Sequence, residues 1–393
     1  MDDYISRNEV SEVDLIKRCL YMDLSGISIV IATKGRVKLL EELLESVAVA
    51  RKKFSGPSEV LLIDDSNAND VRQIDSACGK YDARRIEFGP SVPEKRNVGA
   101  REAKYDIILF LDSDCIATPN LLNEHYKLYT NEKVGGVAGL LEFIGEDTWF
   151  WEVVDKTPFT ICFSFPKWMD TVPWTPTANC SMRKKVFEQI HGFDRSFPDK
   201  PGGEDVDLGL RMIKAGYIFK CTAGGLVYHS KKTWTPVKAM FRRLWYYGSA
   251  NYYLTEKHPD YVMKIMPRKS SLYLTGILGI VILSIIGLNP WMLLMIPLWI
   301  CLDIVFSAIF INKFASYKGT TFAKQCVVQL LILDNELGYV WTCLKKRKPS
   351  FINKDVVYFD GQMDGIQDTS AIMTWCNLLS ALVLILSTTL LLL

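Results

Sequence analysis

The run Ile107-Ile108-Leu109-Phe110-Leu111 leads without a break into Asp112-Ser113-Asp114-Cys115. Five consecutive apolar residues read as a strand buried on both faces, the kind found in parallel sheets. Alternate residues of a strand point to one side. Asp112 and Asp114 therefore converge where the strand ends, which is where open α/β sheets bind ligands. Two hard oxygen ligands that leave positions open suit Mg²⁺ or Mn²⁺ held together with a substrate phosphate. Alone, Asp-x-Asp equally describes a polar loop after a strand. Its neighbours carry the argument.

Strand and helix patterns alternate before it. Residues 27–32 read as a strand and 33–36 as a turn. Residues 37–50 carry the 3.6-residue apolar period of a helix through Leu39, Leu40, Leu43, Leu44 and Val47. A second strand at 59–63 ends in Asp64-Asp65-Ser66-Asn67, and 84–88 is a short third strand. Residues 93–104 read as a loop running into a helix, followed by the strand at 106–111. This order predicts a parallel α/β sheet.

Five further features carry chemistry. Asp64-Asp65 follows a strand, where a carboxylate can accept from a base N–H or a ribose hydroxyl, or simply form an acidic turn. In Glu94-Lys95-Arg96-Asn97-Val98-Gly99, Arg96 can face a pyrophosphate and Gly99 allows close backbone approach. In Gly202-Gly203-Glu204-Asp205-Val206-Asp207 a flexible turn precedes acids in a helix's first turn, where the dipole favours negative charge. His229, one of four histidines, follows a strand-like run and is a candidate further metal ligand beside Asp114. Arg242 and Arg243 stand among aromatics in Phe241-Arg242-Arg243-Leu244-Trp245-Tyr246-Tyr247. They suit either a diphosphate clamp or a juxtamembrane belt.

Hydrophobicity is unevenly distributed along the 393 residues. Residues 272–288 are uncharged and apolar, and 291–311 are apolar except for Asp303. Residues 371–393 carry no charge. Each stretch has the length of a membrane-spanning helix. Lys257, Lys264, Arg268 and Lys269 precede the first, Lys313 and Lys318 follow the second, and the Asn289-Pro290 turn is uncharged. The first two then form a hairpin with both ends cytoplasmic. Residues 323–344 contain Lys324, Asp334 and Glu336 and precede Lys345-Lys346-Arg347-Lys348, so they read as an interfacial amphipathic helix. The tail crosses once, giving three spans. The N-terminal MDDYISRNEV is not a signal peptide. Ten scattered cysteines without a CxxC pair indicate reduced thiols rather than zinc. A net charge of +2 gives no argument for nucleic acid.

Residues from about 27 to 260 resemble family-two inverting glycosyltransferases of GT-A fold. The resemblance rests on an ordered set: Ser28-Ile29-Val30-Ile31-Ala32-Thr33, Asp64-Asp65-Ser66, Arg96-Asn97-Val98-Gly99, Leu111-Asp112-Ser113-Asp114, Gly192-Phe193-Asp194 and Gly203-Glu204-Asp205. The stretch from Arg242 to His258-Pro259 is similar to the glycosyltransferase of the mycofactocin system and its membrane relatives. The resemblance implies an α/β, Rossmann-like nucleotide-diphospho-sugar transferase domain followed by C-terminal transmembrane helices. It implies that Thr33 and Asp65 hold a uracil end, that Asp112 and Asp114 meet ribose and metal, and that Asp205 is the base. Glu204 would orient the acceptor or the loop. Arg96, Arg242 and Arg243 would bind the donor diphosphate, and Asp114 with His229 would hold Mn²⁺ or Mg²⁺. The chain departs from the family at Lys34, where an aromatic is frequent.

The expected organisation is a helical extension at 1–26, the transferase domain at 27–265, a transmembrane hairpin at 270–311, a cytosolic or interfacial segment at 312–370 and a final span at 371–393. The expected activity moves a hexose or related sugar from a UDP-linked donor to an acceptor hydroxyl, with inversion, at the cytosolic face of the cell membrane. Expected partners are the donor, a lipid-linked, glycan or peptide acceptor, and membrane lipid. Two alternatives stay open: a polyprenyl-phosphate glycosyltransferase, whose ionised acceptor needs no strong base, and a non-catalytic membrane scaffold of the same fold. A polymer-extruding synthase is disfavoured, because three spans make a poor pore.

Overall fold

Buried apolar runs form the centre of the sheet, as their composition requires. The computed structural model describes residues 24–198, 202–265, 267–314 and 320–357, with 375, 378, 379, 381 and 382. The expected extension before residue 24 lies outside the described residues, as does the expected final span apart from those five positions.

The described chain divides into two units. The first comprises 24–144, 162–198 and 204–230, and the second 145–161, 202–203 and 231 onward. The first unit opens with β1 (Ile27–Thr33), α1 (Val37–Lys53), β2 (Ser58–Asp64), α2 (Ala68–Tyr81), β3 (Arg84–Glu87), α3 (Val92–Glu102) and β4 (Ile107–Asp112). Here the expected alternation is present. β1 pairs in parallel with both β2 and β4, and β2 with β3. Ile29, Leu62 and Leu109 are fully buried, each worth roughly 1.5–3 kcal/mol relative to exposure. The register sets Thr33 beside Asp64, and Ala32 beside Asp112, so the three strands end at one edge.

Beyond β4 the sheet changes character. β5 (Cys115–Ala117), α4 (Leu121–Tyr126) and β6 (Val134–Ile144) come next. After a segment of the second unit containing α5 (Trp149–Asp155), the chain returns with β7 (Thr171–Val172), β8 (Asn179–Arg183), α6 (Lys184–Gln189), α7 (Glu204–Lys214) and β9 (Ile218–Ser230). The order along the sheet is β3-β2-β1-β4-β8-β6-β9-β5, with β7 on β9. β8 is antiparallel to both β4 and β6, and β5 to β9. The sheet is therefore mixed, not parallel throughout as the alternation predicted. In its second half β6 and β9 run parallel to each other, while β8 and β5 run against their neighbours.

A buried polar network ties these strands together. His125 on α4 contacts Ser181 Oγ at 2.9 Å and Asn179 Oδ1 at 3.0 Å. Asn179 donates to the Leu140 and Gly225 carbonyls at 2.8 and 2.7 Å. Burial pushes His125 down to about 4, so this histidine is a neutral core group.

The second unit contains α8 (Val237–Lys257), β10 (Val262–Lys264), α9 (Lys269–Ile286), α10 (Met295–Phe314), α11 (Phe322–Lys345) and β11 (Lys354–Val356). The expected transferase boundary at 265 falls inside it: α8 and β10 pack with the helices and strand that follow. Among the described residues, two stretches are long and apolar enough to cross a membrane, Lys269–Ile286 and Pro290–Lys313, with mean hydropathy 1.8 and 2.4. Lys269, read from sequence as a flanking charge, is buried. Its Nζ meets Asp303 at 3.0 Å and Ser307 Oγ at 2.6 Å, and the Tyr273 hydroxyl donates to Asp303. The charge inside the second stretch is thus matched by one from the first.

Helix α11 packs against α8 at backbone contact distance. A Cβ at Gly248 would lie 1.8 Å from the Asn335 carbonyl oxygen, and one at Gly338 would lie 2.2 Å from that of Trp245. Asn335 Nδ2 donates to the Leu244 carbonyl at 2.9 Å, and Glu336 accepts from the Ser270 N–H at 2.8 Å. Asn335 and Glu336 thus make contacts within the unit, where Lys324 pairs with Glu152. The other face of α11 keeps Leu330, Leu337, Trp341 and Leu344 exposed.

Candidate active site

β4 ends at Asp112 and β5 begins at Cys115, so Ser113-Asp114 forms the turn between them. Cys115 pairs with His229 across β5 and β9, and the Ser230 N–H donates to the Asp114 carbonyl at 3.0 Å. This register brings His229 Nε2 to 3.4 Å from Asp114 Oδ1 and 4.0 Å from Asp112 Oδ2. Asp114 and His229 are buried and Asp112 is half-buried. His229 Nδ1 lies 3.3 Å from the Ser230 carbonyl oxygen. Donation from Nδ1–H to that carbonyl leaves the Nε2 lone pair facing two carboxylates, which a divalent cation satisfies. Asp114, Cys115 and His229 offer potential ligand atoms within 4.8 Å of one another, with Asp112 alongside. Burial, with Asp114 and Asp112 nearby, raises the Cys115 thiol well above the usual range, so it stays protonated. Two carboxylates and an imidazole then form the donor set, which fits Mn²⁺ or Mg²⁺.

The second oxygen of Asp114 is also engaged. Arg36 Nη1 donates to Asp114 Oδ2 at 3.0 Å. Arg36 sits in the 33–36 turn, where the sequence pattern signals only a change of direction.

On α3 the buried Arg96 binds acids at both ends. Nη1 donates to Glu204 Oε1 and Nη2 to Asp112 Oδ1, each at 3.0 Å. Arg96 thus joins the turn after β4 to the start of α7. Its expected role on the donor diphosphate is not represented in these contacts. Asn97 exchanges two hydrogen bonds of 2.8 Å with the Phe193 backbone, which fixes Gly192-Phe193-Asp194 against α3. A Cβ at Gly99 would lie 2.2 Å from Val30 Cγ1. This glycine lets α3 pack closely on β1, a different reason from the ligand approach expected.

Asp205 follows Glu204 in the first turn of α7. Burial raises its carboxyl, the Glu204 carboxylate raises it further, and Arg96 opposes both, leaving it at about 7. The dipole argument predicted a readily ionised acid. Desolvation outweighs the dipole here, as it does for buried carboxyls generally.

At the ends of β1 and β2, Lys95 is the residue that sequence reasoning passed over. It is buried, and its Nζ donates to the Thr33 carbonyl at 2.5 Å and to Asp65 Oδ1. Lys34 Nζ donates to Asp65 Oδ2 at 2.9 Å from an exposed position. Burial works to raise Asp65, but Lys95 and Lys34 together hold it below the usual value. Thr33 Oγ1 is buried without a hydrogen-bond partner among the described residues. Asp64 is a structural acid: it accepts from Ser66 N–H at 3.0 Å and from Arg85 at 3.4 Å.

The structure therefore brings together Asp112, Asp114, His229, Arg96, Glu204 and Asp205, with Thr33 and Asp65 at the neighbouring strand ends of the same unit. Arg242 and Arg243 lie on α8 in the second unit. There the Arg243 guanidinium stacks 4.0 Å from the Trp234 ring centroid and donates to the Thr233 carbonyl at 3.3 Å. The segment 149–177, expected to wall the acceptor site, is divided between the two units.

Comparison with known proteins bears on the family of the chain. The sequence profile of glycosyl transferase family 2 matches residues 28–191. The chain is 23% identical to a chondroitin synthase of Escherichia coli over 265 residues, 58% of this chain and 38% of that protein. It is 26% identical to a hyaluronan synthase of Pasteurella multocida over 246 residues, 52% and 24% of the two chains. It is 24% identical to the pre-mycofactocin glycosyltransferase of Mycobacterium tuberculosis over 250 residues, 60% and 48%. The chain thus spans less than half the length of each of these three relatives. Among solved structures, GalNAc-T7 with UDP, GalNAc and Mn²⁺ aligns with TM-score 0.45 at 17% identity, over 61% of this chain and 50% of that one. The mannosyltransferase PcManGT of Pyrobaculum calidifontis with GDP-Man and Mn²⁺ aligns with TM-score 0.48 at 13% identity, over 86% and 91%. The mixed α/β fold with its central sheet is GT-A-like.

Proposed function

Residues 28–191 form a glycosyl transferase family 2 domain, and on that premise we propose that this protein moves a sugar from a UDP-linked donor to an acceptor hydroxyl with inversion. The observation that carries the reading is the meeting of Asp112, Asp114 and His229 beside the Arg96–Glu204–Asp205 group. Thr33 and Asp65 take the base end of the nucleotide; the buried, unpartnered Thr33 hydroxyl supports that assignment. Asp114 and His229, with Asp112 alongside, hold the divalent cation. When bound, the cation neutralises charge on the departing diphosphate.

Asp205 accepts the acceptor's proton as the new bond forms. A carboxylate titrating near 7 is a stronger base than an ordinary one, and matches the pH at which it works. Glu204, held by Arg96, fixes the loop that presents Asp205. The acceptor in this reading is a glycan, a lipid-linked sugar or a peptide. Lys269–Ile286 and Pro290–Lys313 anchor the chain in the membrane with the transferase unit cytosolic. Two apolar helices and the exposed apolar face of α11 support the anchoring.

The test is donor turnover. UDP release from UDP-sugars is measured with Mn²⁺ and with EDTA, in wild type and in Asp114→Ala. Metal-dependent release, abolished in the variant, is expected. Release that ignores both changes would overturn the assignment. Cysteines placed near Arg347 and labelled from outside intact cells test the orientation, with protection expected.

A further inference from the structure

The side chain that contends with a cation for Asp114 is Arg36. Asp114 is buried, and its two oxygens face different partners. Oδ1 faces His229 at 3.4 Å, while Oδ2 accepts from Arg36 Nη1 at 3.0 Å. Arg36 is only half-buried, with 47% of its side chain exposed. It therefore joins the site from the solvent side on a long, flexible stem. Its guanidinium bears the charge that a buried carboxylate requires, and it is the kind of group that also binds phosphate bidentately.

The backbone is committed to this placement. Gly35 and Arg36 both adopt left-handed conformations, with φ of 59° and 56°. For arginine that conformation is unfavourable. The turn is pinned by the Gly35 N–H donating to Ser66 Oγ at 2.6 Å, and Ser66 is in turn held by Asp64. Arg36 also precedes α1 immediately, and its carbonyl accepts from the Leu40 N–H at 3.0 Å. Helix start and turn together aim the side chain at Asp114.

We propose that Arg36 is a positioning residue that couples metal binding to donor binding. Without donor its guanidinium neutralises Asp114 and weakens cation binding there. A donor diphosphate offers the guanidinium a better partner, frees Asp114 Oδ2, and so strengthens the metal site. Linkage requires the reverse as well: metal then strengthens donor binding by the same factor. The inference rests on the proposed metal site, and the test separates the two.

Mn²⁺ affinity is measured by electron paramagnetic resonance on the full chain, with and without UDP. The proteins are wild type, Arg36→Gln and Arg36→Gly, the last keeping the left-handed turn without strain. Wild type should bind Mn²⁺ at least about 5-fold more tightly with UDP, within the usual range of coupling. Both variants should bind Mn²⁺ alone more tightly than wild type by a similar factor, and UDP should enhance it little. Unchanged Mn²⁺ affinity in both variants, with Mn²⁺ binding intact in all three, overturns the role of Arg36 and leaves the metal site standing. No Mn²⁺ binding by any of them, with or without UDP, overturns the metal site and this inference together.

Discussion

Arg96 Nη1 lies 3.0 Å from Glu204 Oε1, and both side chains are buried. The pair spans the unit from the third helix to the start of α7, and Arg96 reaches Asp112 with its other end. Asp112 and Glu204 therefore share one guanidinium. A change at either acid alters the charge felt by Asp205.

This sharing sets the pH dependence. In the proposed reaction Asp205 acts as an ionised base, and burial with Glu204 pushes its carboxyl up to about 7. The rate should rise with pH through about 7 and level off above it. Asp205→Asn should lower turnover ~10²–10⁴-fold, the usual worth of a positioned base, remove that limb, and leave UDP affinity nearly unchanged. Arg96→Met removes the group that opposes the shift, so residual activity should need higher pH. Stopped-rate assays from pH 5.5 to 9 decide; a flat profile in wild type would place the base elsewhere. Retained activity of Asp205→Asn with a phosphate acceptor only would favour a polyprenyl-phosphate acceptor.

Lys95 should matter more than Lys34, although both bind Asp65. Lys95 is buried and Lys34 is 70% exposed. Lys95→Met leaves the Thr33 carbonyl and Asp65 without their buried donor, a loss of about 3–5 kcal/mol by analogy with broken buried pairs. Lys34→Ala breaks an exposed pair worth about 0–1 kcal/mol. UDP calorimetry and thermal melts should rank them in that order. Equal effects would mean that the two lysines act as one charge cloud rather than as separate contacts.

Gly248→Ala and Gly338→Ala should each destabilise the second unit. Either new methyl meets a backbone carbonyl of the facing helix, and overpacking typically costs about 1–3 kcal/mol. Gly279→Ala on α9 is the control, because nothing lies within 4 Å of the added carbon. Melting in detergent should show a drop of several degrees for the first two and none for the third. If all three melt alike, the close crossing of α8 and α11 is not formed in solution.

Lys269→Met should cost about 3–5 kcal/mol by leaving Asp303 buried without its cation. The double variant with Asp303→Leu should recover most of that loss, since an apolar pair of similar volume replaces a charged one at little cost. A double variant as unstable as the sum of the singles would show that the two charges do not depend on each other.

The strands β1, β2 and β4 were legible because a doubly buried strand must be a continuous apolar run, and helix α1 because its leucines keep one face. The second half of the sheet was not. Val134-Gly135-Gly136-Val137-Ala138-Gly139 carries three glycines, and Ile218–Ser230 alternates poorly, so neither shows a strand period. Their pairing is tertiary: β6 lies between β8 and β9, and β9 pairs with β6, β5 and β7. The candidate acids stand out in the sequence because they follow strand ends and a double glycine, although Asp64, in the same kind of place, is structural. Lys95 and Arg36 do not. Their significance lies in partners 30 and 78 residues away, and no local pattern encodes such a meeting. Glu336 shows the same limit: its cost in an apolar helix is plain, whereas the Ser270 N–H that donates to it cannot be read from the helix alone.

The ion pair of Lys269 and Asp303 joins two successive helices. Lys269 is made a full helix before Asp303. Burying it ahead of α10 would leave a cation without its counter-charge, which is costly. The pair therefore favours burial of the two helices together.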